Sequence, residues 1–214
     1  MKTVQILNTR ARRARGFTLI ELLVVMAIIA VLATLTLGAF QYAQQAAARN
    51  RTSGALAAIR AALEQYKEKF GEYPEPKDQG DQVSGANTGG AEMLYQAITG
   101  DGTDAIKLTS GGEASDGQID EEEIRNAINP NLPPAMIFPP KSATSSTASR
   151  WLMDGFGRPF QYQKAALDGE TPTTINPTYD LWSFGNIEGD PSSQTFTIEQ
   201  KSSTEVTGTW IKNW

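Results

Sequence analysis

The chain has 214 residues, 40% hydrophobic and 20% charged, with a net charge of −5 and neither cysteine nor histidine. That balance is a folded protein's rather than a disordered one's, and beside a membrane segment the length leaves one small soluble domain. The missing residue types exclude disulfides, His or Cys metal sites and nucleophiles that depend on a Cys–His or Ser–His pair.

Residues 1–16 carry Lys2, Arg10, Arg12, Arg13 and Arg15 and no acid, so the remainder holds 14 basic against 24 acidic residues. A soluble part this acidic argues against nucleic acid as a partner. From Leu22 to Phe40 there are 19 residues without a charge. As a helix they span about 28 Å, enough for a bilayer core. The flanking arginines keep the N-terminus cytoplasmic and send the C-terminal part outward. A secretory signal has a shorter apolar core, cut on its far side. Here the candidate cut is Gly16–Phe17, ahead of the apolar run, so processing removes the basic leader and leaves the anchor.

Glu21 stands at the start of that run. A carboxylate in a lipid helix costs free energy, about 2.5–3.5 kcal/mol at the centre and less near an end, and usually marks a function. The plainer reading is a first-turn acid that suits the helix dipole and reaches the headgroups.

Beyond the apolar run, Leu56, Ile59, Leu63, Tyr66 and Phe70 recur at helical spacing and define one packing face. Arg60, Glu64 and Lys67 belong on the opposite, wet side. Gly71-Glu-Tyr-Pro74 ends the helix. One helix is therefore expected from about Phe17 to Phe70, greasy all round in its first half and amphipathic in its second, with Gly54 a candidate flexible point. Glu92–Thr99 reads as a short helix closed by Gly100, set among the turn-rich pieces 77–90 and 101–117. Ser142–Ser149 is a polar, low-complexity stretch.

Residues Gly112–Glu123 match the latter half of an EF-hand loop, with Gly117 at the turn and Glu123 closing; Asp116 and Glu123 are its candidate calcium ligands. Gly112 and Ala114 stand at its first two ligand positions, and the competing reading is an acidic first turn of a short helix, 120–128. Toward the C-terminus, Pro159–Gln163, Tyr179–Phe184 and Gln194–Ile198 read as strands.

Gly16-Phe-Thr-Leu-Ile-Glu21 with the basic leader and the apolar run resembles the class III signal of type IV pilins and type II secretion pseudopilins. Further residues resemble the major pseudopilins of type II secretion: Ala62-Leu-Glu-Gln-Tyr-Lys67, Gly71-Glu-Tyr-Pro74, Asp154-Gly-Phe-Gly-Arg-Pro-Phe-Gln-Tyr162, the strand ending Ser183-Phe-Gly185, and Ile211-Lys-Asn-Trp214. The resemblance implies cleavage after Gly16 by a prepilin peptidase, methylation of the Phe17 amine, and pairing of Glu21 with the Phe17 ammonium of a neighbouring subunit. It also implies calcium in the loop 186–193, where Glu188 and Asp190 are the candidate ligands, against the plainer reading of a solvated acidic turn. Gly38 stands at the depth where many members carry proline, and local melting of the helix there stays open.

The expected fold is α+β and pilin-like: a long N-terminal helix packed on a small C-terminal antiparallel sheet. Its parts are a leader (1–16), a membrane and filament-core helix (17–40), a stalk (41–74), a loop-rich insertion (75–150) and a sheet region (151–214). The expected function is structural, with no catalytic residues and no required cofactor. The chain would sit once across a bacterial inner membrane, its domain periplasmic, and polymerise into the pseudopilus of type II secretion. Its partners would be copies of itself, prepilin peptidase, other pseudopilins and the inner-membrane assembly platform. The alternatives are a type IV pilin or minor pilin, and a membrane-anchored binding module that forms no polymer.

Overall fold

A computed structural model describes residues 16–75, 82–83, 86–88, 90–102, 119, 121–129, 131–140, 150–189, 191 and 196–214, apart from the side chains of residues 37, 82, 83, 86, 87 and 122. The elements are α1 (Leu19–Phe70), β1 (Gln82–Val83), β2 (Ala86–Asn87), α2 (Ala91–Thr99), α3 (Glu121–Asn126), a 3-10 turn (Pro134–Met136), β3 (Ile137–Phe138), β4 (Trp151–Leu152), β5 (Gln161–Lys164), β6 (Tyr179–Ser183), α4 (Ile198–Ser202), α5 (Thr204–Thr207) and β7 (Ile211–Lys212). The architecture is α+β. The chain divides into two units, Met1–Ala43 and Gln44–Trp214.

In the first unit, α1 starts at Leu19, two residues later than expected, because Thr18 caps it. The helix continues without a break through Gly38 and, further on, through Gly54. The described apolar side chains of this unit are exposed, among them Leu22, Ile28 and Leu32. Among the described residues this is the one helix long and apolar enough to cross a membrane, with a mean hydropathy of 2.7 over its most apolar window.

In the second unit, Leu56, Ile59, Leu63 and Tyr66 are buried as their spacing predicts, and Phe70 is half-buried at the rim. Gly71 ends α1 at φ 89°, a conformation that favours glycine, and its N–H returns to the Lys67 carbonyl at 2.8 Å. Leu56, Ile59 and Leu63 join one core with Leu94, Tyr95 and Ile98 of α2, Leu152 of β4, Phe160, Tyr162 of β5, and Tyr179 and Leu181 of β6. Every residue of α2 is buried. Arg60, Glu64 and Lys67 are exposed as expected, and Glu64 also bonds beyond the helix. It accepts the hydroxyls of Tyr73 and Tyr179 at 3.0 and 3.4 Å, so it ties the stalk to β6.

The main sheet is antiparallel in the order β5-β6-β7, with Tyr162 opposite Leu181 and Trp182 opposite Lys212. The expected strands at 159–163 and 179–184 correspond to β5 and β6. The expected strand at Gln194–Ile198 is overturned over its described residues: Ile198 begins α4. Thr197 and Gln200 cap each other, the Gln200 N–H bonding the Thr197 hydroxyl and the Thr197 N–H the Gln200 side chain, at 3.3 and 3.0 Å. The β-branched, aromatic run was outweighed by this capping pair. The short helix expected over 120–128 is found as α3, ending at Asn126.

Candidate functional site

The residues singled out at the N-terminus lie at, or just ahead of, the start of α1. Phe17 is 84% exposed and stands before the helix with Gly16, which leaves the peptide bond between them clear of regular structure. Thr18 and Glu21 form a reciprocal cap. The Thr18 N–H and hydroxyl each donate to Glu21 Oε2 at 2.8 Å, and the Glu21 N–H donates to the Thr18 hydroxyl oxygen at 3.2 Å. Thr18 was not picked out from the sequence, although Thr-x-x-Glu ahead of an apolar run is the capping-box signal. The cap satisfies helix-end donors and gives the carboxylate two partners, which lowers the cost of carrying it at the edge of lipid. Among the described residues its second oxygen accepts no hydrogen bond.

The motifs further along prove to be mutually bonded scaffold. Asp154 is buried and accepts the N–H groups of Phe156 and Arg158 at 2.8 and 2.9 Å and the Ser183 hydroxyl at 2.5 Å. Its burial raises the carboxyl above the usual range, against the pull of these donors. Ser183 in turn accepts the Gly185 N–H at 3.0 Å. Asn213 continues the sheet with its side chain, accepting from the Leu181 N–H at 2.9 Å and donating to the Tyr179 carbonyl at 3.2 Å. The turn at Gly155 is fastened to the stalk, its N–H donating to the buried Thr52 hydroxyl at 2.9 Å.

Of the four calcium candidates, the described residues include Glu188 and Glu123. Glu188 is exposed, while Asp190 and Asp116 lie outside the described residues, as do the leader (1–15) and the stretch 142–149. Glu123 is buried, and its carboxylate accepts the Gly102 N–H at 2.7 Å, which gives it a structural task in holding α3 to the end of α2. Among the described residues no three acidic side chains converge on a point.

A family model described as the prokaryotic N-terminal methylation motif matches residues 11–37. Comparison with curated proteins and with solved structures finds no match for this chain. The motif supports a type IV pilin-like protein, and the long helix with small antiparallel sheets is an α+β, pilin-like architecture. The motif implies processing by prepilin peptidase and pilin-like assembly, and it belongs to structural rather than enzymatic proteins. With the apolar helix it points to membrane anchoring.

Proposed function

We propose that this chain is a pseudopilin, anchored in a bacterial inner membrane by α1 and polymerised through that helix into the periplasmic pseudopilus of a type II secretion system. The observation that carries the reading is an exposed, membrane-length apolar segment of α1, residues 19–40, whose one charge, Glu21, sits in its first turn beside the processing point. Cleavage after Gly16 frees an ammonium on Phe17. In one subunit waiting in lipid, Thr18 holds Glu21 at the helix end. When a second subunit packs alongside, its Phe17 ammonium meets the free lone pairs of that carboxylate. The pair forms in a low-dielectric setting where an unpaired charge on either side is costly. Packing of the apolar faces supplies the remaining attraction.

The pseudopilin reading over a type IV pilin rests on the resemblance of Asp154–Tyr162, Ser183–Gly185 and Ile211–Trp214. Their bonding into one network supports treating them as parts of one scaffold. The N-terminal motif by itself suits a type IV pilin equally. A secretion ATPase and an outer-membrane secretin encoded beside this gene would favour the pseudopilus.

Substituting Glu21→Ala separates a polymer subunit from an anchored module. The variant is expected to insert and to lose its leader, yet to give no cross-linked ladder through cysteines introduced on α1, a clean readout in a chain without native cysteine. A ladder equal to the parent's would refute polymerisation through this carboxylate.

A further inference from the structure

Lys201 is an uncommon residue to find inside a small domain: it lies on α4 and is 1% exposed. An ammonium has three N–H donors, and three oxygens receive them. They are Gln163 Oε1 of β5 at 2.5 Å, the Thr173 carbonyl in the β5–β6 connection at 3.1 Å, and Asp180 Oδ2 of β6 at 2.9 Å. The Trp182 ring covers the same ammonium, its centroid 4.8 Å away. Asp180 is fully buried and also accepts the N–H groups of Ile175 and Asn176 at 2.9 and 3.0 Å. Through the α4 backbone the tie extends to the last residue, since the Trp214 indole donates to the Lys201 carbonyl at 3.3 Å. One cation thus joins β5, the β5–β6 connection, β6 and the C-terminal segment.

The cage has the dimensions of an ammonium site. Calcium takes six to eight oxygens at about 2.3–2.6 Å, whereas this cation has three oxygens, most of them farther off, and an aromatic face. We infer that Lys201 is the resident cation that holds the C-terminal segment on β5 and β6, and that this segment folds without a divalent metal. The inference rests on the geometry of the domain alone, so the filament reading can fail without affecting it.

The test uses the full chain in detergent micelles, followed by tryptophan fluorescence, because Trp182, Trp210 and Trp214 lie in one aromatic cluster beside the cage. The melting temperature is expected to be the same in excess EGTA and in excess calcium. A rise with calcium that EGTA reverses would overturn the inference. Lys201→Met leaves Asp180 buried and uncompensated, and amide exchange across residues 197–212 is expected to quicken about a hundred-fold or more. Exchange at the parent's rate would overturn it as well. Where that variant does not fold, Asp180→Asn with Lys201→Met removes the charge on both sides and is expected to recover a folded segment. A double variant no better than the single one shows that the ion pair does not hold the segment, and also overturns the inference.

Discussion

Gly155→Ala tests whether the Asp154 turn is built against the stalk as described. A Cβ at this position would run into the Ala48 carbonyl of α1 and stand 3.0 Å from both the Ala48 carbonyl carbon and Thr52 Oγ1. Two of these three neighbours are helix backbone and cannot swing aside, so the turn must lift. Lifting breaks the 2.9 Å bond from the Gly155 N–H to Thr52. Overpacking of this kind costs about 1–3 kcal/mol and the lost hydrogen bond about 0.5–1.5 kcal/mol, a total of roughly 2–4 kcal/mol. In a domain of this size each kcal/mol moves Tm by about 2–4 °C, so a fall of roughly 5–15 °C is expected. Near-ultraviolet circular dichroism of the full chain in detergent reads this directly. Gly54→Ala is the control: it sits on the exposed side of the same helix with nothing within 4 Å, and is expected to gain up to about 1 kcal/mol. A Gly155→Ala protein that melts at or above the parent would refute the docking of this turn.

Leu63 is fully buried in the core, and Leu63→Ala is expected to cost about 2–5 kcal/mol. Because the loss falls beyond the apolar run, membrane insertion and leader removal should be unchanged while the domain becomes sensitive to limited proteolysis. In alkali, burial, aided by nearby Glu72 and Glu64 respectively, pushes the Tyr66 and Tyr73 phenols up to about 12, and burial raises Tyr95 and Tyr162 as well. The neutral phenols are favoured in the fold, so their contribution is intact below pH 10 and is lost as pH rises from 10 through 12. In a Tyr42→Phe background, which removes an exposed phenol, phenolate absorbance should therefore rise together with the loss of tertiary dichroism; ionisation of these rings well before unfolding would contradict their burial.

The long helix was legible because its signals agree over many turns: an uncharged run, then Leu56 to Phe70 at constant spacing, then Gly71 and Pro74. Strands β5 and β6 were legible from closely spaced aromatic residues between turns. The pair β3 and β4 has two residues in each strand, too few for any period to register. Gln194–Ile198 misled because β propensity describes a fit to a half-buried surface, whereas Thr197 and Gln200 form specific hydrogen bonds that start a helix. At the candidate site, Gly16, Phe17 and Glu21 were readable as sequence, but Thr18 became visible only as the partner that holds Glu21. The cage around Lys201 draws on Gln163, Thr173 and Asp180, residues up to 38 positions away in the chain, and no local pattern brings them together.

Mass spectrometry of the mature N-terminus, taken from membranes of cells that possess prepilin peptidase, bears most directly on the central claim. The account predicts a first peptide that begins at Phe17 with a methylated amine and runs on into the intact apolar helix. A protein that keeps its arginine-rich leader, or one cut beyond Phe40 so that the helix is lost, would contradict it.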